Sequence, residues 1–289
     1  MAVPEDRLPQ LSSEADCEEI ARLLTTYAFS WDIERALELA LFRSYAVPSI
    51  SELLMKTREF AERPRKRYDD TELLISEPME NGIDSARGRA AIGRINAMHG
   101  RYRIADDDML YVLCTFVLEP IRWLDRFGRR PMTTHERVAW TNYHRRLGAR
   151  MGITGIPADL AGIKAFAAAF ERDRFRFAPS NAALAGITLE LLLGFYLPRR
   201  LHRFGRPVAL ALMDAPLLSA TGQPAPSDRL RRWVHLAMRG RARLLRCLPR
   251  RRRPRLVTAR RRPGYPGGYR ISELGTWPQT KERAERAGA

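Results

Sequence analysis

The chain has 289 residues, 45% of them hydrophobic, which is enough for a full core and makes one large domain the simplest count. It carries 50 Lys+Arg against 33 Asp+Glu, a net charge of +17, and the excess is local: Arg229 to Arg262 holds 15 arginines and no acid, while the remainder is near neutral. Three scattered cysteines, Cys17, Cys114 and Cys247, exclude a disulfide framework and a zinc-binding spacing and suit a reducing cytoplasm. The opening MAVPEDRLPQ has no basic-then-apolar signal pattern. The cleanest apolar run, Met109 to Leu118, is too short to cross a bilayer, and Glu190 interrupts the longer run Ala182 to Leu197. The expectation is a soluble, cytoplasmic protein without a transmembrane segment.

Helical periodicity begins near Ser13, with Ile20, Leu23, Leu24 and Tyr27 on one face. Ser30 is placed to cap a second helix carrying Ile33, Leu37, Ala40 and Leu41. Pro48 ends that region, and Ser49-Ile50-Ser51-Glu52 has the form of a capping box opening a third helix with Leu53, Leu54 and Phe60. A dense polar stretch, Arg63 to Asp70, leads into a helical pattern through Ile75 that Pro78 limits, and Asn81-Gly82 reads as a turn. Ala90 to His99 is helical and stops at Gly100, a natural terminator because glycine tolerates positive φ.

Asp106, Asp107 and Asp108 stand where a helix N-terminus favours negative charge, and Met109 to Leu118 is apolar on all sides, as a core helix is. Pro120 is expected to kink this helix or end its first half. Thr133-Thr134-His135-Glu136 is a second capping box, opening a helix that Met151-Gly152-Ile153 closes. Asp159 to Phe175, Asn181 to Leu197 and Val208 to Ala220 are further helical segments. Ser227 caps a last amphipathic helix with Leu230, Trp233, Val234, Ala237 and Met238 inside, and from Arg250 onward the chain is rich in Arg, Pro and Gly and is expected to be irregular. No alternating strand pattern and no repeat occurs. The fold class is therefore all-α, about ten helices, with a helical domain over 1–249 and a C-terminal segment over 250–289.

There is no Gly-rich dinucleotide or phosphate loop and no nucleophile elbow. No Glu is followed three residues later by His, which argues against a ferritin-like di-iron site, and the five histidines form no H-x-x-x-H pair. A cofactor needing one histidine is still allowed, and haem is the obvious one. His99 is the candidate ligand, stacked on a helix above Ile92, Ile95 and Asn96; the plainer explanation is a buried histidine satisfied by a backbone carbonyl. Arg67 and Thr71 lie four apart and share a helix face, able to hold a propionate or polarise oxygen, or else to form part of a solvated basic patch with Arg65 and Lys66.

Glu52 can act as a base, though its capping-box position explains it as well. Cys114 can be a thiolate ligand of the P450 type or, more simply, a small core residue; His135 reads as a surface residue, and Met98 and Tyr102 can line a pocket or pack the core. The arginines of Arg250 to Arg262 can meet an anionic membrane surface or stand as a solvated tail whose removal leaves a haem site intact. Aromatic interleaving is too thin for specific nucleic-acid binding.

Arg94 to Trp123, RINAMHGRYRIADDDMLYVLCTFVLEPIRW, resembles the core motif of the MpaB and rubber-oxygenase (latex-clearing protein) family. KRYDDTELL at 66–74 is similar to its upstream Arg/Thr motif, and RPMTTHERVAWTNYHRRLGARMGI at 130–153 to its downstream segment. LPRRRRP and YPGGYRISELG are similar to a bacterial MpaB-like subgroup, and the resemblance runs from about 29 to 275. It implies a globin-like core binding haem b, and oxidative cleavage of a carbon–carbon double bond by O2 in an isoprenoid: polyisoprene for the rubber oxygenases, a farnesyl side chain for fungal MpaB. It assigns His99 as the proximal iron ligand, Arg67 and Thr71 to the haem pocket, and Glu52 to the place of an upstream catalytic glutamate. Asp70 stands before Thr71, so a lysine that some members carry on the distal side has no counterpart, and the membrane anchor of fungal MpaB is not seen.

The reading is thus a haem b-dependent oxygenase acting on an apolar, isoprenoid or lipid-like substrate. Its alternatives are a haem protein of the same fold with a peroxidase-like or sensing role, and a non-enzymatic helical protein binding anionic surfaces through its arginine tail.

Overall fold

The computed structural model describes residues 4–277; positions 1–3 and the end of the C-terminal segment, 278–289, lie outside the described residues. Among the described residues there are thirteen α-helices and no strand, so the all-α class holds. They are α1 (Cys17–Leu23), α2 (Ser30–Tyr45), α3 (Pro48–Lys56), α4 (Glu59–Glu62), α5 (Pro64–Asn81), α6 (Ala86–His99), α7 (Asp106–Phe127), α8 (Thr134–Arg150), α9 (Leu160–Arg174), α10 (Pro179–Leu193), α11 (His202–Leu210), α12 (Ala215–Ala220) and α13 (Asp228–Cys247).

The fold is built on α2 lying along α7. Ala36 and Ala40, fully buried and one turn apart, let the two backbones approach, while α7 supplies bulk through Tyr111, Val117, Leu118, Trp123 and Phe127. Polar ties fix the register: Trp123 Nε1 donates to Asp32 at 3.0 Å, and Arg43 Nε to Glu119 at 2.6 Å. Arg43 also pairs with Glu171 of α9 and with Asp214 ahead of α12, so one buried guanidinium joins four parts of the chain.

Several local expectations meet tertiary overrides. Pro120 does not end α7, which runs through it; burial on both sides of the helix outweighs the one lost backbone bond. The Ser49 capping box does not form. Pro48 already starts α3, with Val47 at the N-cap; Ser49 Oγ donates instead to Asp108 at 2.7 Å, and Ser51 Oγ to Asn181. Ser30 is inside α2 rather than its cap. The segment 208–220 is split by the Asp214 cap of α12. The capping box at Thr133 and Glu136 is present, with both reciprocal bonds made.

Three apolar clusters result. The largest joins α1, α2, α7, α8 and α9. A second gathers Phe42, Tyr45 and Phe60 with leucines of α10 to α12. A third, small one joins Leu73 and Leu74 of α5 to Ala91 and Ile95 of α6 and to Leu274.

Leu274 belongs to the C-terminal segment, whose described part, 250–277, is a strap and not a solvated tail. Arg262 is buried and pairs with Glu72 at 2.5 Å and Asp69 at 3.7 Å; Gly264 N donates to Asp69 at 2.9 Å and Tyr265 Oη to Asp70. Tyr269 reaches Glu77, Val257 N reaches Glu80, and Arg94 of α6 binds the carbonyls of Leu274, Thr276 and Trp277. Asp69, Asp70 and Glu77 are fully buried under this strap, so part of the arginine excess is the counter-charge of the acidic face of α5. The solvated-tail expectation is corrected for Arg255, Arg260 and Arg262: the first two pair with Glu34 of α2.

Candidate functional site

The third cluster draws on α5 and α6, and the predicted residues Arg67, Thr71 and His99 stand on these two packed helices. Arg67 and Thr71 face the same way, one turn apart on α5. The Arg67 guanidinium donates to Thr71 Oγ1, and Thr71 Oγ1 donates to the Arg67 carbonyl at 3.0 Å. The Arg67 guanidinium carbon also lies 5.2 Å from the centre of the Phe60 ring. An arginine held by a hydroxyl on one side and an aromatic face on the other keeps its charge in one place before any ligand arrives.

α6 brings in His99 as its last residue, above the buried Ile92 and Ile95. Gly100 follows in ordinary right-handed geometry, φ −63°, so the helix ends there without using glycine's left-handed freedom. The His99 Nδ1 is buried and has no hydrogen-bond partner among the described residues. Burial, and after it the Arg67 charge, pushes the imidazole down to about 4. It is therefore neutral at physiological pH, the form in which a ring nitrogen can ligate iron.

Glu52 does not join this group. It is exposed on α3, and the capping box that offered its structural explanation does not form. Six residues on, Arg58 adopts φ 60°, a left-handed conformation costly for a side-chain-bearing residue. That turn reverses the chain between α3 and α4 and sends Glu59 and Phe60 inward. Glu59 is buried; its Oε1 accepts from Arg63 at 2.5 Å, and its Oε2 has no partner. The Phe60 ring meets Tyr45 edge-on at 5.8 Å. The buried Tyr45 hydroxyl and the neighbouring Thr188 Oγ1 of α10 have no partner but each other, and burial pushes the Tyr45 phenol up to about 12. Buried polar atoms on His99 and Glu59 are thus unsatisfied in this region, and the Arg67 charge acts on both His99 and Tyr45. Buried polar atoms are nearly always paired, so such a cluster marks a place built to receive something.

The other candidates are accounted for structurally. Cys114 is buried among apolar neighbours and pushed up to about 12, which disfavours a thiolate. His135 is half-buried in the first turn of α8 rather than a surface residue, and Met98 abuts Gly275 in the strap. No group of three or more His, Cys, Asp or Glu is placed to hold a bare metal ion among the described residues.

A cleft opens beside Thr71 between α2 and α5. Leu37, Leu41, Ile75, Met79 and Phe116 give it apolar walls, and Val257 of the strap helps close it. Glu38, buried in the same wall, accepts from Tyr68 at 2.9 Å and from Arg35 at 2.7 Å.

Comparison with known proteins bears on what this arrangement is for. Residues 36–246 match the family described as ER-bound oxygenase mpaB/B′/Rubber oxygenase, catalytic domain. The chain belongs to this family. It is 32% identical over 208 residues to ER-bound oxygenase mpaB′ of Penicillium brevicompactum, covering 66% of this chain and 49% of that protein. It is 32% identical over 160 residues to ER-bound oxygenase mpaB of Penicillium roqueforti (strain FM164), 53% of this chain and 54% of the relative. With mpaB of Penicillium brevicompactum it shares 36% over 135 residues, 44% of this chain and 34% of the relative. The chain spans about half or less of the length of these relatives. The matched region runs from α2 to the end of α13 and so contains Arg67, Thr71, His99 and Glu59; the strap lies beyond it.

Proposed function

We propose that this chain is a haem b-dependent oxygenase that cleaves or oxygenates a carbon–carbon double bond of an apolar, isoprenoid or lipid-like substrate with O2. The observation that carries the reading is the neutral His99 imidazole with its buried, unpartnered Nδ1 beside the Arg67 charge, in a member of an oxygenase family. The residues fit the cofactor: His99 would hold the iron through a ring nitrogen, and Arg67 would hold a propionate or another anionic oxygen. When bound, the haem supplies the means of activating dioxygen.

The chain's own residues set the surroundings. Arg67, restrained by Thr71 and Phe60, presents fixed positive charge without reorganisation. The Oε2 of Glu59 is free to take or hold a proton at the site, the role that the resemblance assigned to Glu52. The apolar walls of the cleft beside Thr71 favour a hydrocarbon-like substrate and keep water away. No described helix is long and apolar enough to cross a membrane; we place the activity in the cytoplasm.

The test is the ultraviolet–visible spectrum and pyridine-haemochrome content of purified protein beside His99→Ala, followed by product analysis on unsaturated isoprenoids under O2. A Soret band with near one haem per chain, lost or strongly shifted in the variant, supports the cofactor, and O2-dependent carbonyl products support the reaction. A wild type that stays colourless after haem is added would overturn the reading.

A further inference from the structure

We propose that the outer face of α13 is a docking surface for an anionic lipid membrane, with the helix lying in the plane of the headgroups. The inner face of α13 is committed to the protein: Val234 and Ala242 are buried, Met238 abuts the main core, and Arg241 pairs with Asp32 at 2.8 Å over the Trp31 ring. The opposite face is open. Trp233 is 60% exposed, Leu236 52% and Leu244 70%, and these residues recur at helical spacing as one stripe with Ala237 and Gly240; Leu248, just past the helix end, is 58% exposed. α11 packs against α13 and adds Phe204, 61% exposed, with Val208. Isolated exposed apolar residues are ordinary, but a stripe of this kind along 20 residues is not.

Charge selects the occupant. Exposed Arg232, Arg239, Arg243 and Arg246 form a row along one flank of the stripe, and none has a carboxylate partner among the described residues. Exposed Arg251, Arg252 and Arg253 follow, and no acid occurs from Arg229 to Arg262. A second copy of this face would bring like charges together. Nucleic acid would use the arginines but leave the tryptophan and leucines in water. An anionic bilayer uses both: phosphates and carboxylates for the arginines, the interfacial zone for Trp233, Leu236 and Leu244. Too arginine-rich to span, α13 is suited to lie flat. The expectation that Arg250 to Arg262 alone would meet a membrane is thereby relocated, since Arg255, Arg260 and Arg262 are engaged with α2 and α5.

The test uses the full chain in vesicle flotation with phosphatidylcholine, with and without phosphatidylserine, across a salt series. Binding should require phosphatidylserine, weaken with salt and blue-shift tryptophan fluorescence. The double variant Trp233→Ser, Leu244→Ser should bind at least about tenfold more weakly with an unchanged circular dichroism melt, because both side chains are already exposed. Arg239→Glu with Arg243→Glu should lose binding to a similar extent. Absence of flotation, or flotation that neither pair of substitutions changes, would overturn the proposal. So would sedimentation showing self-association that Trp233→Ser, Leu244→Ser abolishes, or RNA binding of equal strength that those two substitutions leave intact. None of these outcomes depends on haem content.

Discussion

His99 and His144 are two histidines with the same depressed basicity and different surroundings. Both are pushed down to about 4 with burial as the leading cause, so both are neutral at pH 7. His144 is what a core histidine is expected to be. Its Nδ1 meets the Trp140 carbonyl at 2.8 Å, one turn back on α8, and its ring lies between Trp140 and Tyr143. The His99 Nδ1 has no such carbonyl, and its neighbourhood holds a fixed guanidinium and other unsatisfied groups. Desolvation alone therefore does not mark a functional histidine. What separates the two is whether the fold has met the ring's hydrogen-bonding capacity or withheld it.

The sharpest way to break this comparison is to remove each ring. His99→Ala should abolish or strongly shift the Soret band while leaving the thermal melt within a few degrees; His144→Ala should keep the haem and lower the melt by several degrees, about 2 kcal/mol. The reverse pattern in a haemochrome assay and a melt would exchange their roles. Next in size, Glu59→Gln should keep the haem and cut turnover by about 100-fold, the usual worth of a positioned proton-transfer group. Equal turnover would remove Glu59 from the chemistry.

Removing the strap's anchor tests the other end of the site. Arg262→Ala removes the buried guanidinium that pairs with Glu72 at 2.5 Å and reaches Asp69 at 3.7 Å, and should cost about 3 kcal/mol in denaturant unfolding. Deleting 250–277 should lower haem content along with stability, the opposite of what a solvated tail predicts. An unchanged midpoint for Arg262→Ala would show that the strap does not support α5.

The pH dependence is smaller and has a definite sign. The folded-state pKa of each histidine lies below its unfolded value of 6.5, so the unfolded chain takes up protons first as pH falls. Stability from these groups is complete above pH 6.5 and is lost progressively from there to about 4. Haem content should stay flat from pH 8 to about 5 and fall near 4, as His99 becomes protonated. Loss centred near 6.5 would mean that the ring is not desolvated. The smallest effect belongs to Glu52→Gln, which should leave turnover unchanged and stability within about 0.5 kcal/mol, since Glu52 is exposed on α3.

Much of the site was legible before the fold was known. The four-residue spacing of Arg67 and Thr71, and a histidine closing an amphipathic helix over Ile92 and Ile95, follow from helical periodicity, and the motifs around them carried the family. Glu59 was not legible. It has no distinguishing neighbour in sequence, and its inward direction depends on one left-handed residue, Arg58, of a type that gives no warning of positive φ. Tyr45 and Thr188 are 143 positions apart in the chain and meet only when α10 packs against α2.

By itself the sequence determined the helical class, the start of α7 at its three aspartates, the capping box at Thr133 and the pairing of Arg67 with Thr71. These are local, set by the 3.6-residue period and by side chains that reach no more than one turn. Tertiary structure decided the rest: that α7 passes through Pro120, that Glu59 is buried while Glu52 stays exposed, and that Arg262 folds back onto Glu72 and Asp69 of α5. Each depends on which side chains lose their water together, and that is settled by the packing of distant segments.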